Sequence, residues 1–448
     1  MKKHVDVVII GGGLSGLAAA VRLASHNLSI ALVEQSSRLG GRCYSYRDER
    51  TGDIVDNGQH VLLGAYHKTL EYLELAGSKK FLRREPALAL PLIHPTKGFA
   101  EFKISSLPRP LHLTAGMLQF TLLSWADRRS LFRVGKALQF WTPQREKELA
   151  LLSIQEWLRS LGQSDEALRC LWYPIAISVM NELPSKASAL LFARSLKAAF
   201  LSKKSDSALL LPTIGQTDLY VSGILEHLSP DYVTIRLKNE VRSLTVTGER
   251  ITSVSLASGE EIQADSFLSA VPYYTLEKIL PAKLRRGEPF SDLHRFSASP
   301  IISLHLWFER DFMDMEYAGL IDGTIQWVFN RRRIIGNGGN LGGYLSCVIS
   351  GAHTLVARPK DEIIRLALKD LHAYFPESRG IPLRHSVVMK EKRATFSPVN
   401  AVETSRPGAV TPVKNFFLAG DWTDTGLPAT IEGAVSSGFT AAEAILRP

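Results

Sequence analysis

Val5-Asp6-Val7-Val8-Ile9-Ile10-Gly11-Gly12-Gly13-Leu14-Ser15-Gly16-Leu17-Ala18-Ala19-Ala20-Val21-Arg22-Leu23-Ala24 is the stretch that decides the fold. A β-branched run leads into a glycine turn, and an Ala/Leu-rich helix former follows it. A second apolar run, Leu28 to Val33, then ends at Glu34. This order of strand, tight turn, helix and strand is that of a Rossmann βαβ unit. Gly11 permits the sharp turn, Gly13 lets backbone N–H groups approach a pyrophosphate, and Gly16 lets the helix pack closely on the strand. Glu34 follows Gly16 by 18 positions, near where a carboxylate accepts from a ribose 2′-OH. The fingerprint predicts a dinucleotide site and, by itself, fits NAD as well as FAD.

Working outward, Arg38-Leu39-Gly40-Gly41-Arg42 follows. Two glycines before an arginine allow close backbone approach, and the guanidinium forks onto phosphate oxygens, so Gly41 and Arg42 are expected as a second cofactor contact. Asp56-Asn57-Gly58-Gln59-His60 is a turn rich in hydrogen-bonding side chains between two apolar runs. It reads equally well as the lining of a cofactor or substrate cavity and as an Asx-turn closing a hairpin. At the far end, Asn415 to Asp421 is a strand closing on Gly420 and a carboxylate. A helix of small residues starts at Ile431, Glu432, Gly433, Ala434 and Val435. Its N-terminal dipole would favour developing negative charge on a ring, and its small residues would also serve close packing.

Between these ends the pattern changes several times. Residues 66–77 are helical with Gly77 as C-cap, and 80–105 read as short strands and turns. Residues 107–144 and a helix begun at Ser153 carry apolar residues at helical spacing. From Val233 the period becomes two, through Val241 and Ile251 to the apolar strand before Pro272. This predicts a β-meander that returns the chain to the first sheet. Segments at 301–308, 326–330 and 344–349 predict a second sheet. Arg331-Arg332-Arg333 reads as a solvated turn, 360–375 as an amphipathic helix and 394–398 as a loop.

At 448 residues the chain exceeds a single core. Its 45% apolar and 22% charged content is that of a globular protein. Cys43, Cys170 and Cys347 lie far apart, with no CxxC, so neither structural zinc nor a disulfide framework is expected, and no other metal. That usage fits a reducing, cytoplasmic compartment. No run approaches the ~18 apolar residues of a spanning helix. The net charge of +9 comes without a nucleic-acid-binding pattern, so no nucleic acid is expected as partner. Residues 109–147 hold seven Lys/Arg and two Asp/Glu on amphipathic segments. They are either a lid over the protein's own cavity or a peripheral contact with the inner face of the cell membrane.

Taken together, these motifs resemble the flavin-containing amine oxidase and phytoene desaturase superfamily. The residues that carry the resemblance are Gly11 to Gly16 with Glu34, Leu39-Gly40-Gly41-Arg42, Leu418-Ala419-Gly420-Asp421 and Glu432-Gly433-Ala434. Within it, Asp56 to Tyr66 is similar to the squalene-associated branch, the hydroxysqualene dehydroxylases; Asn181-Glu182-Leu183-Pro184 resembles it less specifically. The resemblance implies an α/β fold: a Rossmann-like FAD domain with a parallel sheet and β-meander (1–75, 205–275 and 395–448), and an inserted α+β substrate domain with a helical lid (76–204 and 276–394).

It also implies FAD, held non-covalently because no cysteine stands in the C-terminal loop. Gly11, Gly13, Ser15 and Gly16 would lie at the pyrophosphate, Glu34 at the adenosine ribose, Val241 at the adenine and Arg42 at phosphate or ring. Gly420 and Asp421 would lie toward the ribityl phosphate, Glu432 to Val435 near the isoalloxazine, and Gly58, Gln59 and His60 beside flavin or substrate. The implied reaction is reductive removal of a hydroxyl from a hydrophobic C30 isoprenoid, in hopanoid synthesis. His60, Asp56 or an ordered water would protonate the leaving group, and the electron donor is unspecified. A carotenoid desaturase, an amine oxidase or a non-catalytic FAD-binding membrane protein would use the same scaffold.

Overall fold

The computed structural model describes residues 4–104, 111–336 and 342–447. Strand β1 (His4–Ile10) runs into helix α1 (Leu14–Ala24) and then strand β2 (Ile30–Val33). β1 and β2 pair in parallel from Val7↔Ile30 to Ile10↔Val33. Their near-continuous Val/Ile/Leu content follows from burial on both faces, which a helix-covered parallel sheet imposes.

The rest of this sheet comes from distant sequence. Its order is Val233–Arg236, β2, β1, Glu261–Ser269, Arg250–Leu256, Val241–Thr247, and Phe416–Leu418 also pairs with Glu261–Ser269. The long strand Glu261–Ser269 is the pivot. It lies parallel to β1 on one side. On the other, its first half meets the meander antiparallel and its last three residues meet Phe416–Leu418 in parallel. One expectation is corrected: Val233–Arg236 is no meander strand but a parallel edge strand beside β2. An isolated alternating tetrapeptide says nothing about which neighbour it pairs with, and the turn at Lys238 (φ 56°) and Asn239 carries the chain across to the meander.

The C-terminal helix, Ile431–Leu446, packs on α1. A Cβ on Gly438 would fall 2.2 Å from the Ser15 carbonyl oxygen, so the small residues there permit contact between helix backbones.

The second sheet also has seven strands: Leu383–Phe396, Ala298–Phe308, Gly343–Ser350, Trp327–Asn330, Tyr317–Leu320, Ala89–His94 and Gly98–Lys103. Residues 394–396, expected as loop, complete the strand Leu383–Phe396, pairing through Phe396 with Ala298. The helices of 111–201 pack on the hairpin Ala89–Lys103 around Phe102, Phe120, Trp157 and Phe192. Ser153 opens one of them with a reciprocal capping box to Glu156, and Gly162 ends it at φ 70°.

Candidate functional site

The glycine turn between β1 and α1 is built as its sequence predicts. Gly11 has φ 106°, which L side chains avoid. A Cβ at Gly16 would fall 2.0 Å from the Gly11 carbonyl oxygen, and one at Gly12 would fall 2.3 Å from Leu39 Cδ2. At Gly13, by contrast, a Cβ would meet nothing within 4 Å. Gly13 is the N-cap of α1 and no side chain caps that helix. The first-turn N–H groups of α1, Ser15 and Gly16 included, have no side-chain cap and stand at the positive end of the helix dipole. An anionic pyrophosphate fits this turn in charge and donor type.

Glu34 sits at the end of β2, buried, with Oε2 accepting from Gly12 N and Oε1 from Ser36 N, both at 2.8 Å. Asn239 N donates to the Glu34 carbonyl at 3.0 Å, which brings the start of the Val241–Thr247 strand next to the acid. Gly40 N donates to Gly12 O at 2.8 Å, and a Cβ on Gly41 would fall 3.1 Å from Gly13 Cα, so the second glycine pair lies on the first turn.

Arg42 then reaches the C-terminal strand. Its Nη2 donates to Asp421 Oδ1 at 2.8 Å and its Nη1 to the Ala394 carbonyl at 2.6 Å. Burial works against the guanidinium charge, but Asp421 outweighs it and holds Arg42 above its ordinary range. Asp421 and Arg42, 379 residues apart in sequence, thus face one small cleft with Tyr273, Arg393 and Trp422. The Cys43 thiol next to Arg42 in sequence is buried, and burial pushes it up to about 12.

The C-terminal helix begins at N-cap Thr430, whose Oγ1 accepts from Gly433 N. Its Glu432 carboxylate accepts from Lys68 N (2.9 Å), Thr69 N (2.8 Å) and Thr69 Oγ1 (2.8 Å). That caps the helix His67–Leu75, so the Glu432 charge sits at another helix's positive end. Val435 is fully buried in the core beside Ala441 and Phe439, and Ala434 packs against the same cluster.

The turn Asp56–His60 lies between the two sheets. Asn57 Nδ2 donates to the Arg42 carbonyl at 2.9 Å on one side, while His305 Nε2, from the second sheet, donates to the Asp56 carbonyl at 3.0 Å on the other. Because a carbonyl only accepts, His305 carries its proton on Nε2 and takes the Tyr344 hydroxyl at Nδ1 (2.8 Å). Burial, reinforced by Arg331, lowers its pKa to about 3. Burial raises the Asp56 pKa, and Arg331 and the Gln216 N–H offset part of that. His60 is lowered to about 4 by burial and by the Arg42 charge, so it is neutral at pH 7. Its Nδ1 is buried and has no hydrogen-bond partner among the described residues.

Arg331 and Arg332 are corrected. They turn inward at the start of the helix Arg331–Ile335, whereas Arg333 is exposed. Arg331 is 1% exposed and donates from Nη2 to Asp56 Oδ2 at 2.8 Å and from Nη1 to Gln59 Oε1. Arg332 forks onto Asp53 at 2.6 and 2.8 Å, and Trp307 Nε1 joins it on Asp53 at 2.8 Å. Arg331 and Arg332 read as solvated because nothing local marks their partners, which lie some 275 residues earlier.

Arg406 also escapes sequence reading, although its acceptors lie only 15 to 21 residues on. It is buried and donates to the Trp422, Leu427 and Asp421 carbonyls at 3.3, 2.8 and 3.3 Å, pinning the loop that carries Asp421.

The model of the family described as flavin containing amine oxidoreductase matches residues 14–446. Among individual proteins, the chain is 29% identical to a hydroxysqualene dehydroxylase of Rhodopseudomonas palustris, over all of this chain and 99% of that one. It is 25% identical to a 15-cis-phytoene desaturase of Solanum lycopersicum, over 99% of this chain and 78% of the desaturase. A triple mutant of putrescine oxidase has the same fold: TM-score 0.75 at 18% identity, covering 99% of both chains.

Proposed function

As the chain belongs to the flavin-containing amine oxidoreductase family and is thus a flavin-dependent oxidoreductase with FAD as cofactor, we propose that it acts on hydroxysqualene. The reaction is reductive dehydroxylation to squalene, in hopanoid synthesis. The observation that carries this reading is the end-to-end match with a named hydroxysqualene dehydroxylase, each chain covered almost completely. Desaturase matches have lower identity, 25% and 24% among them.

When bound, FAD supplies the two-electron chemistry. The chain's own residues hold it. Gly11, Gly13, Ser15 and Gly16 present backbone N–H groups to the pyrophosphate, Glu34 accepts from the adenosine ribose, and Val241 offers backbone to the adenine. Gly41 admits the cofactor against the turn, and Arg42 meets phosphate or ring. Gly420 and Asp421 face the ribityl phosphate, and Glu432, Gly433, Ala434 and Val435 back the isoalloxazine side. Gly58, Gln59 and His60 stand beside flavin or substrate.

We read Asp56 as a holding group, because both its carboxylate oxygens are already engaged. His60 is then the stronger candidate for assisting the departing hydroxide. Being neutral, it does so through a hydrogen bond at its N–H, with an ordered water completing the transfer.

The assigned division has residues 1–75, 205–275 and 395–448 forming the FAD domain and 76–204 with 276–394 the substrate domain. Support comes from strand membership: every strand of the first sheet falls in the former set.

We place the protein in the cytoplasm, on the inner face of the cell membrane, with 109–147 as the contact. Residues 109 and 110 lie outside the described residues. Trp125 (63%) and Phe140 (65%) are exposed near the exposed cations Arg129, Arg133 and Lys136. No helix among the described residues is long and apolar enough to cross a membrane. Arg128 is the wrong residue to probe here, since it donates to the Leu118 and Leu123 carbonyls and stacks on Trp125. Charge reversal at Arg129 and Lys136 should abolish flotation with anionic liposomes and leave thermal stability intact; unchanged flotation would remove the membrane assignment.

The reaction is tested by incubating the reduced, FAD-loaded protein with hydroxysqualene, phytoene and a panel of amines, with products identified by mass. Squalene is the expected product. A more unsaturated polyene made by the oxidised protein would reassign it as a desaturase.

A further inference from the structure

Arg331 is engaged in a way that ion pairing alone does not require. Taking a guanidinium out of water costs several kcal/mol, and a fork onto one carboxylate is the compact way to offset that. Its neighbour Arg332 does this, placing both Nη groups on Asp53. Arg331 instead divides its donors: Nη2 goes to Asp56 and Nη1 to Gln59. Those two residues are the first and the fourth of the turn Asp56–His60. The turn is held a second time by Gln216, whose backbone N–H donates to Asp56 Oδ1 at 3.0 Å and whose Nε2 donates to the Gly58 carbonyl. Gln59 passes the constraint on, its Nε2 donating to the His60 carbonyl at 3.1 Å.

On the other face the turn rests on the cofactor side of the molecule through Asn57 and the Arg42 carbonyl. His60, at the end of the chain of contacts, keeps a buried Nδ1 unpartnered among the described residues. Arg331 Nε is unpartnered in the same sense, so the guanidinium sits where the split between two acceptors dictates and its third direction goes unmatched.

We propose that Arg331 is a positioning residue that sets the turn Asp56–His60, and with it the His60 imidazole, against the flavin. It rests on the flavin assignment and on His60 standing beside the ring. A bidentate anchor across a turn restricts both of its ends, and misplacement of a group by about 1 Å costs on the order of 10²-fold in rate. Lysine cannot reproduce it: one ammonium keeps the charge and loses the planar fork that reaches two acceptors at once.

The test uses the FAD-loaded protein and two variants. Arg331→Lys keeps the charge, and Gln59→Leu removes one arm while leaving the Arg331–Asp56 pair. Three properties are read: melting temperature, the visible absorption band of bound FAD, and its midpoint potential.

Both variants are expected to bind FAD with a displaced band and potential, and to lose on the order of 10²-fold in kcat on hydroxysqualene with a smaller change in KM. Gln59→Leu leaves Arg331 Nη1 without its acceptor, so it is further expected to melt below the parent yet fold and retain FAD. A parental band and potential in Gln59→Leu would overturn the proposal and leave Arg331 as a structural ion pair; this holds even if Arg331→Lys fails to fold. If the parent does not convert hydroxysqualene but both spectra are displaced, the substrate assignment falls and the positioning role stands.

Discussion

Two buried carboxylates flank the candidate site and are held by opposite means. Glu34 is satisfied by two backbone N–H groups, from Gly12 and Ser36, 22 and 2 residues away. Asp56 is satisfied by a guanidinium 275 residues away and by a backbone N–H 160 residues away. Backbone donors bring no charge of their own into the interior. They orient the Glu34 carboxylate while leaving lone pairs for a ribose hydroxyl. The Asp56 pair commits both members: neither charge survives burial without the other. Glu34 is thus suited to receive a ligand, and Asp56 to fix one part of the molecule against another.

This contrast breaks most sharply at Asp56→Ala, which strands Arg331 at 1% exposure. Loss of about 3–5 kcal/mol is expected in urea unfolding. Glu34→Gln keeps an acceptor for only one of the two N–H groups and turns an amide NH2 on the other. It leaves no buried charge stranded, so it should lose about 1–3 kcal/mol, less than Asp56→Ala, and weaken FAD binding.

The glycines extend the comparison. Gly16→Ala, with its Cβ 2.0 Å from the Gly11 carbonyl, should cost about 1–3 kcal/mol and empty the cofactor site. Gly13→Ala, whose Cβ enters open space, should melt like the parent yet lose the 450 nm absorbance of bound flavin. A Gly13→Ala protein that stays yellow would place the pyrophosphate elsewhere.

The second region also carries a pH signature, at His305. His305 takes a proton in the unfolded chain below its ordinary pKa of ~6.5, but in the folded protein only near 3. The unfolded state then binds more protons across that window. Its contribution is complete above pH 6.5 and falls by up to about 1 kcal/mol per unit as pH drops toward 3. His305→Gln should flatten this limb of the stability profile. The smallest effect is expected far from both carboxylates: Ser153→Ala removes a capping box and should lower stability by about 1 kcal/mol.

How much was legible follows the same division. The turn Gly11–Gly16, Glu34, the Gly40–Gly41 approach and the cap at Ser153 are local: each is set by neighbours within a few residues or one βαβ unit. The meander and the returning strand Glu261–Ser269 are legible as strands, yet the parallel edge position of Val233–Arg236 is not, because alternation reports burial and not partner. Arg331 and Arg406 are invisible in one dimension. An arginine carries no mark of whether its acceptor is solvent or a carbonyl across the fold, and composition favours solvent.

By itself the sequence determined the cofactor class, since steric permission at glycine and the reach of one acidic side chain are properties of a short segment. Tertiary structure alone decided what surrounds it: Asp421 opposite Arg42, Glu432 on the helix His67–Leu75, and Arg331 across the turn at His60. These are charge pairings and helix caps between segments hundreds of residues apart. The first two form when the segments 1–75 and 395–448 close on the first sheet, and only the Arg331 contacts reach the turn from the second sheet.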